Sequence, residues 1–304
     1  MKEIAENILS FCNQITNICE EFNANSEIPE IKEMDLDISV ANLSAYVNKE
    51  LDSDRMERKE ARVRKRINDI NLDLNSDKEA LFYLFSPELK WSKHGFKGKD
   101  ENWIDPIDGG FCINSIYEIL TSEKKKFWER GLKKYQDYEP YTKEDFELIN
   151  QLAWFDSPTS FVDRTITPFY TCLKIEEGKF PTEFYFYDSH FVYKLPFGSY
   201  EEYFEALIAS TCIESWQFFY IKPSELIKRN IGKNYFTIFL KSPKIENQSR
   251  INFNPEVKED RLDVIHGYLE HCVNALPEIF PEIDFYYHIN WFKEFDTLYL
   301  ESKK

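Results

Sequence analysis

Apolar residues recur along this chain in two rhythms, and the change from one to the other organises it. From residue 2 to 23, Ile4, Ile8, Phe11, Ile15, Ile18 and Phe22 repeat at helical spacing, joined by Cys12 and Cys19. Such a stripe predicts an amphipathic helix. Val40, Leu43, Val47 and Leu51 predict a second helix over Ser39–Leu51, and Met56, Val63, Ile67 and Ile70 a third from Arg55 to about Leu74. Lys78–Phe85 predicts a short helix ended before Pro87. Glu88–Pro106 reads as irregular, Asp108-Gly109-Gly110 as a turn, and Ile113–Tyr138 as one or two helices. Thr142 caps a further helix, with Phe146, Ile149, Leu152 and Ala153 inward.

Beyond that helix the period shortens to two. Phe169–Ile175 and Thr182–Lys194 are rich in Phe, Tyr and Val, types that suit a half-buried pleated surface. Asp188-Ser189 supplies a turn, so the second run predicts a hairpin. Pro196 ends it, having no N–H for a ladder. Ser199 then caps a short helix, with Glu202 three residues on as a capping box requires, and Tyr203, Phe204, Leu207 and Ile208 share a face. Strands are predicted at Ile213–Ile221 and Tyr235–Leu240, and helices at Ser224–Ile231 and Asp260–Ala275. Ser242–Lys258 reads as a polar connection, and Ile283–His288 and Thr297–Leu300 as strand-like ends. The sum is an α+β protein: a helical N-terminal region, 1–140, followed at 141–304 by a mixed or antiparallel sheet with helices packed on one side.

The segment YKLPFGSYEEYFEAL, followed by SWQFFYI at 215–221, resembles the core of the SUKH superfamily, α+β immunity proteins of bacterial toxin systems. The matching features are Leu195-Pro196, the helix from Ser199, and the aromatic run from Trp216. Where such domains often carry a Gly-rich turn after the helix, this chain has Ser210-Thr211-Cys212. The resemblance implies a protein that neutralises a toxin by occluding its active site.

Charge adds to this picture. The 304 residues carry 54 acids against 38 Lys and Arg, a net charge of −16. That balance argues against general nucleic-acid binding and suits a basic protein partner or simple solubility. Between 55 and 66 the sign reverses, with seven bases against two acids. This is a solvated helix face, or a contact for a nucleic acid or an acidic partner. Six cysteines, none in a C-x-x-C pair, read as reduced core thiols of a cytosolic protein. The N-terminus lacks the pattern of a cleaved signal, and no apolar run approaches 18 residues, so neither export nor a membrane span is expected.

Motifs for catalysis are sparse. Asp188, Ser189 and His190 are the ingredients of a triad, but strand neighbours point to opposite faces, so the three cannot line up as hydrolysis requires. His266 and Glu270 lie four apart on one helix, as a surface pair or half of a metal site. No phosphate loop, cofactor motif or complete metal set is visible. The first expectation is therefore an acidic protein-binding module without catalytic or cofactor residues, whose Glu201, Glu202, Glu205, Glu256, Glu259 and Asp260 meet a basic, nuclease-like toxin. The alternative is a hydrolase or nucleotide-handling enzyme assembled from distant residues such as His190 and His266.

Overall fold

The computed structural model describes residues 2–24, 34–40, 86–93, 95–97, 103–115, 143–156, 169–176, 181–188, 191–236 and 258–304, with positions 44, 58, 61, 65 and 119. It is an α+β fold of helices and two main antiparallel sheets. Helix α1, Lys2–Ala24, buries the expected stripe of Ile4, Ile8, Phe11, Cys12, Ile15 and Cys19. Its last turns clamp the start of strand β1, Met34–Ser39. The Cys19 thiol and the Asn23 side-chain amide both donate to Met34 O, at 3.1 Å each, and Met34 N donates to Asn23 Oδ1 at 3.2 Å.

Strand β1 pairs with β2, Glu88–Lys93, and β2 with β5, Ile107–Cys112; a two-residue ribbon, β3 Phe96–Lys97 and β4 Trp103–Ile104, lies between them in the chain. Two expectations are corrected here. The stretch from Glu88 is a strand whose Leu89, Trp91 and Lys93 are buried in alternation. Asp108-Gly109-Gly110 lies inside a strand and forms no turn. The glycines serve close packing instead. A Cβ on Gly109 would lie 2.4 Å from the Trp91 ring, and one on Gly110 2.5 Å from Leu89 O.

The second sheet is a meander of β6 Leu152–Asp156, β7 Phe169–Lys174, β8 Phe184–Asp188 and β9 Val192–Lys194. Its alternation is strict. Phe169, Thr171, Leu173, Phe184, Phe186 and Tyr193 face the main core. Leu152, Cys172, Tyr185, Tyr187 and Val192 face a smaller cluster closed by Ile149 of helix α2, Lys143–Ile149. The two sheets meet where Ile113 bridges Asp156 and Asn114 N donates to Phe155 O at 2.7 Å.

Sharing the main core are helix α3, Tyr200–Ala209, a 3-10 helix at Trp216–Tyr220, α4 Pro223–Asn230, α5 Arg261–Ile279 and α6 Tyr286–Ser302, with α6 packed on α4, α5 and the 3-10 helix. A short ribbon, β10 Asn234–Phe236 with β11 Lys258–Asp260, precedes α5. Helix α6 replaces the two strand-like ends expected from sequence. His288, Trp291 and Phe295 are buried at helical spacing, a stripe that the many aromatics around it obscured. The boundary expected near 140 lies outside the described residues. On either side of it, α1 and the first sheet share one buried cluster with the meander and α3 to α6. The stretches Ser39–Leu51, Arg55–Leu74, Lys78–Phe85, Ile113–Tyr138 and Ser242–Lys258 fall largely outside the described residues, as does most of the basic run 55–66.

Candidate protein-binding surface

Helix α3 begins as its sequence dictates. Ser199 takes an extended conformation and its hydroxyl accepts from Glu202 N at 3.2 Å, while Glu202 Oε2 reaches back to accept from Gly198 N at 2.6 Å. Tyr203 and Phe204 then bury against Phe155. Tyr203 also stacks on Phe184 at 4.9 Å. This orientation leaves Glu201, Glu202 and Glu205 exposed on the outer side. Of the other acids expected there, Glu256 lies outside the described residues and the side chain of Glu259, on β11, is likewise outside them. Asp260 is occupied within the fold. It caps α5 by accepting from Leu262 N at 2.9 Å and pairs with Lys303 at 3.2 Å.

The chain leaves α3 through a buried turn at Ser210–Ser215. Thr211, Cys212 and Ser215 all take left-handed backbone angles, with φ of 52°, 49° and 59°, a region that costs a side-chain-bearing residue energy. The first sheet holds them there: Trp91 Nε1 donates to Thr211 O at 2.9 Å, Gly110 N to Cys212 O at 2.7 Å, and Glu214 N to Asp108 O at 3.0 Å. The turn thus does without glycine. It also corrects the strand expected at Ile213–Ile221, because the chain coming out of it winds into the 3-10 helix.

That helix delivers Tyr220 to the surface beside α3. Its hydroxyl donates to Ala206 O at 3.4 Å, and its ring lies 5.1 Å from Phe197. On its other side it stacks on Tyr287 of α6, centroids 5.2 Å apart at 26°. Tyr287 is 51% exposed and Tyr286 71%. Glu282 and Asp284, just before them, are exposed as well. Tyr220 therefore links the backbone of α3, a helix whose other side carries the exposed acids, to the acidic, tyrosine-bearing start of α6. The strand expected at 283–288 hides these tyrosines, because a period of two does not separate them from the inward stripe. Read with a period of 3.6, buried His288, Trp291 and Phe295 put Tyr286 and Tyr287 off the inward stripe.

Beneath this surface lie buried polar groups. Asp156 accepts from Tyr203 Oη at 2.6 Å and from Cys112 N at 3.0 Å, and the Thr171 hydroxyl donates to Tyr203 Oη at 3.1 Å and accepts from Gln217 Nε2 at 2.9 Å. Burial outweighs those donors and pushes the Asp156 carboxyl up to about 6. Burial, and then the Asp108 carboxylate, pushes Glu214 up to about 7. His288, 1% exposed among Phe219, Tyr220, Phe285 and Tyr287, is held down to about 4 by burial.

These shifts set a pH dependence. A carboxyl raised in the folded state stabilises it below the ordinary value, 3.8 for Asp156, and that contribution is lost as pH rises through about 6. Glu214 acts in the same sense over its own window, and the neutral His288 in the opposite sense below 6.5. Comparing the parent with Asp156→Asn isolates the first. The parent is expected to lose about 2 kcal/mol relative to the variant between pH 4 and pH 6.5, read by denaturant unfolding at each pH. A difference independent of pH would contradict a raised Asp156.

The catalytic alternative names His190 and His266. His190 is outside the described residues. His266 Nε2 lies 2.8 Å from Asp296 Oδ1, and its ring stacks on Tyr299 at 4.0 Å. Its carboxylate partner is thus Asp296 of α6, not Glu270 of its own helix. Among the described residues no group of three or more His, Cys, Asp or Glu is placed to hold a metal. All six cysteines are free thiols, and five are buried. Among the described residues no helix is long and apolar enough to cross a membrane. Fold and surface together define an α+β protein with an acidic, tyrosine-bearing face. Comparison with protein-family models, with curated proteins and with solved structures finds no match to this chain.

Proposed function

We propose that the protein is a cytosolic binding module of the immunity type, which takes a basic protein such as a nuclease-like toxin and occludes its active site. The observation that carries this reading is that Tyr220 links α3, which bears exposed acids, to the exposed tyrosines that open α6. Acids speed the encounter with a basic surface, and aromatic anchors slow release. The net charge of −16 favours a basic protein over nucleic acid. The SUKH-like pattern at 193–221 fits the same reading, since α3 within it presents Glu201, Glu202 and Glu205.

The test reverses charge at Glu201 and Glu205, sparing Glu202 because it closes the cap. Capture of partners from the native host on the tagged chain should yield one stoichiometric basic protein at moderate salt. Capture by Glu201→Lys/Glu205→Lys should fall about tenfold, the equivalent of 1.4 kcal/mol. Capture of no basic protein by the parent, or equal capture by the variant, would sink the proposal.

A further inference from the structure

We infer that Tyr286 and Tyr287 form an arginine-receiving subsite at the start of α6, an inference that rests on the binding-module reading above and names the side chain its partner presents. Two adjacent tyrosines at 71% and 51% exposure are a large aromatic area to leave in water. Tyr287 is also fixed before any partner arrives. Its hydroxyl donates to Phe219 O at 3.0 Å, its ring stacks on Tyr220, and its edge meets His288 at 5.5 Å and 89°. A ring already held in place loses little conformational entropy when something stacks on it.

The charge around the rings selects what stacks. Residues 281–292 contain Glu282 and Asp284 and no Lys or Arg, and the nearest base on α6, exposed Lys293, lies two turns beyond Tyr286. Glu201, Glu202 and Glu205 are exposed on α3, whose Ala206 O the Tyr220 hydroxyl contacts, with exposed Lys222 as the base nearest Tyr220 in sequence. The N-terminal end of α6 opposes a cation by about half a charge. Asp284 offsets it directly, since its Oδ1 accepts from Tyr286 N at 2.8 Å. Below the rings, His288 is buried and neutral at pH 7 and so adds no positive charge. Aromatic faces flanked by carboxylates suit a planar, weakly hydrated guanidinium better than an ammonium, which holds its water and does not stack. The occupant is an arginine on an exposed segment of a basic protein.

The experiment titrates the full-length chain with three blocked peptides of equal length, carrying two arginines, two lysines, or a proline-rich sequence, and reads affinity by NMR. The arginine peptide should bind about fivefold tighter than the lysine peptide, and Tyr286→Ala should remove most of that advantage. Tyr286 is the more exposed of the two rings, so this variant leaves the core untouched. Tyr287→Phe, which keeps the ring and loses its anchor to Phe219 O, should weaken arginine binding less than Tyr286→Ala does. Equal affinity for arginine and lysine, tighter binding of the proline-rich peptide, no binding of any peptide, or an unaffected Tyr286→Ala chain would each overturn the subsite. Host capture separates this failure from that of the parent reading. If Tyr286→Ala captures the basic partner as well as the parent does, the subsite falls and the binding module stands. If neither captures a partner while arginine-selective binding holds, the module falls and the subsite stands.

Discussion

Replacing Arg261 by methionine is expected to cost the folded state about 3–5 kcal/mol. Arg261 is the first residue of α5 and is fully buried, as is its partner Asp188 at the end of β8. Its guanidinium donates to Asp188 Oδ2 and to Asn230 Oδ1, and lies over the Phe191 ring at 5.5 Å. Asn230 in turn donates to Tyr193 Oη at 2.9 Å, and Asp188 Oδ1 accepts from Phe191 N at 2.7 Å. The node thus ties the second sheet, α4 and α5 together. Methionine fills much of the volume but removes the positive charge, leaving a carboxylate in a site with no access to water. Much of the loss should return when Asp188 is also replaced by asparagine, because an isolated buried charge costs more than a missing pair. Denaturant unfolding of both single variants and the double variant at pH 7 checks this. A loss under about 1 kcal/mol for Arg261→Met, or additive losses in the double variant, would show that the pair is not coupled as the geometry requires.

Arg261 carries no signal in the sequence, and Asp188 reads there only as a turn residue and a rejected triad member, for a physical reason. An arginine one residue after a helix cap and an aspartate at a hairpin end are ordinary surface residues by local pattern. Only the packing of α5 across the sheet buries them together. Elements set by neighbouring residues were legible: the stripe of α1, the Ser199–Glu202 cap, the alternation of β7 and β8, and the helix from Asp260. Elements set by distant contacts were not. The aromatic run at Trp216–Tyr220 has strand composition, yet the left-handed turn at Thr211–Ser215, pinned by Trp91 and Gly110, winds it into a 3-10 helix. The acids of α3 could be placed outward from helical spacing alone. The tyrosines of α6 could not, once their segment was assigned a period of two. Asp260 illustrates the converse, since its role as the α5 cap was written beside it in the sequence and withdraws it from the exposed acidic face.

The two glycines of β5 should fail differently when given a side chain, and the difference tests why they are there. Gly110→Ala would place its Cβ 2.5 Å from Leu89 O and 3.1 Å from Lys90 Cα, both backbone atoms of the paired strand. Backbone cannot turn aside, so β5 must separate from β2. That separation also disturbs Gly110 N to Cys212 O, one of the bonds that hold the left-handed turn. A loss above about 4 kcal/mol is expected, the range reserved for severe core disruption. Gly109→Ala would meet side-chain atoms instead, the Trp91 ring at 2.4–2.5 Å. Trp91 is buried, its Nε1 donates to Thr211 O, and it lies edge-on to Phe280 at 5.2 Å. Its displacement is costly, but a smaller ring makes room. Trp91→Phe should therefore recover part of the stability lost in Gly109→Ala and none of that lost in Gly110→Ala. Thermal unfolding of the four chains reads the result. Equal recovery in both backgrounds would mean that the β5–β2 spacing is set by something other than these two close approaches. Because the same spacing fixes the turn that delivers Tyr220 to the surface, Gly110→Ala should also capture less of the basic partner than the parent does.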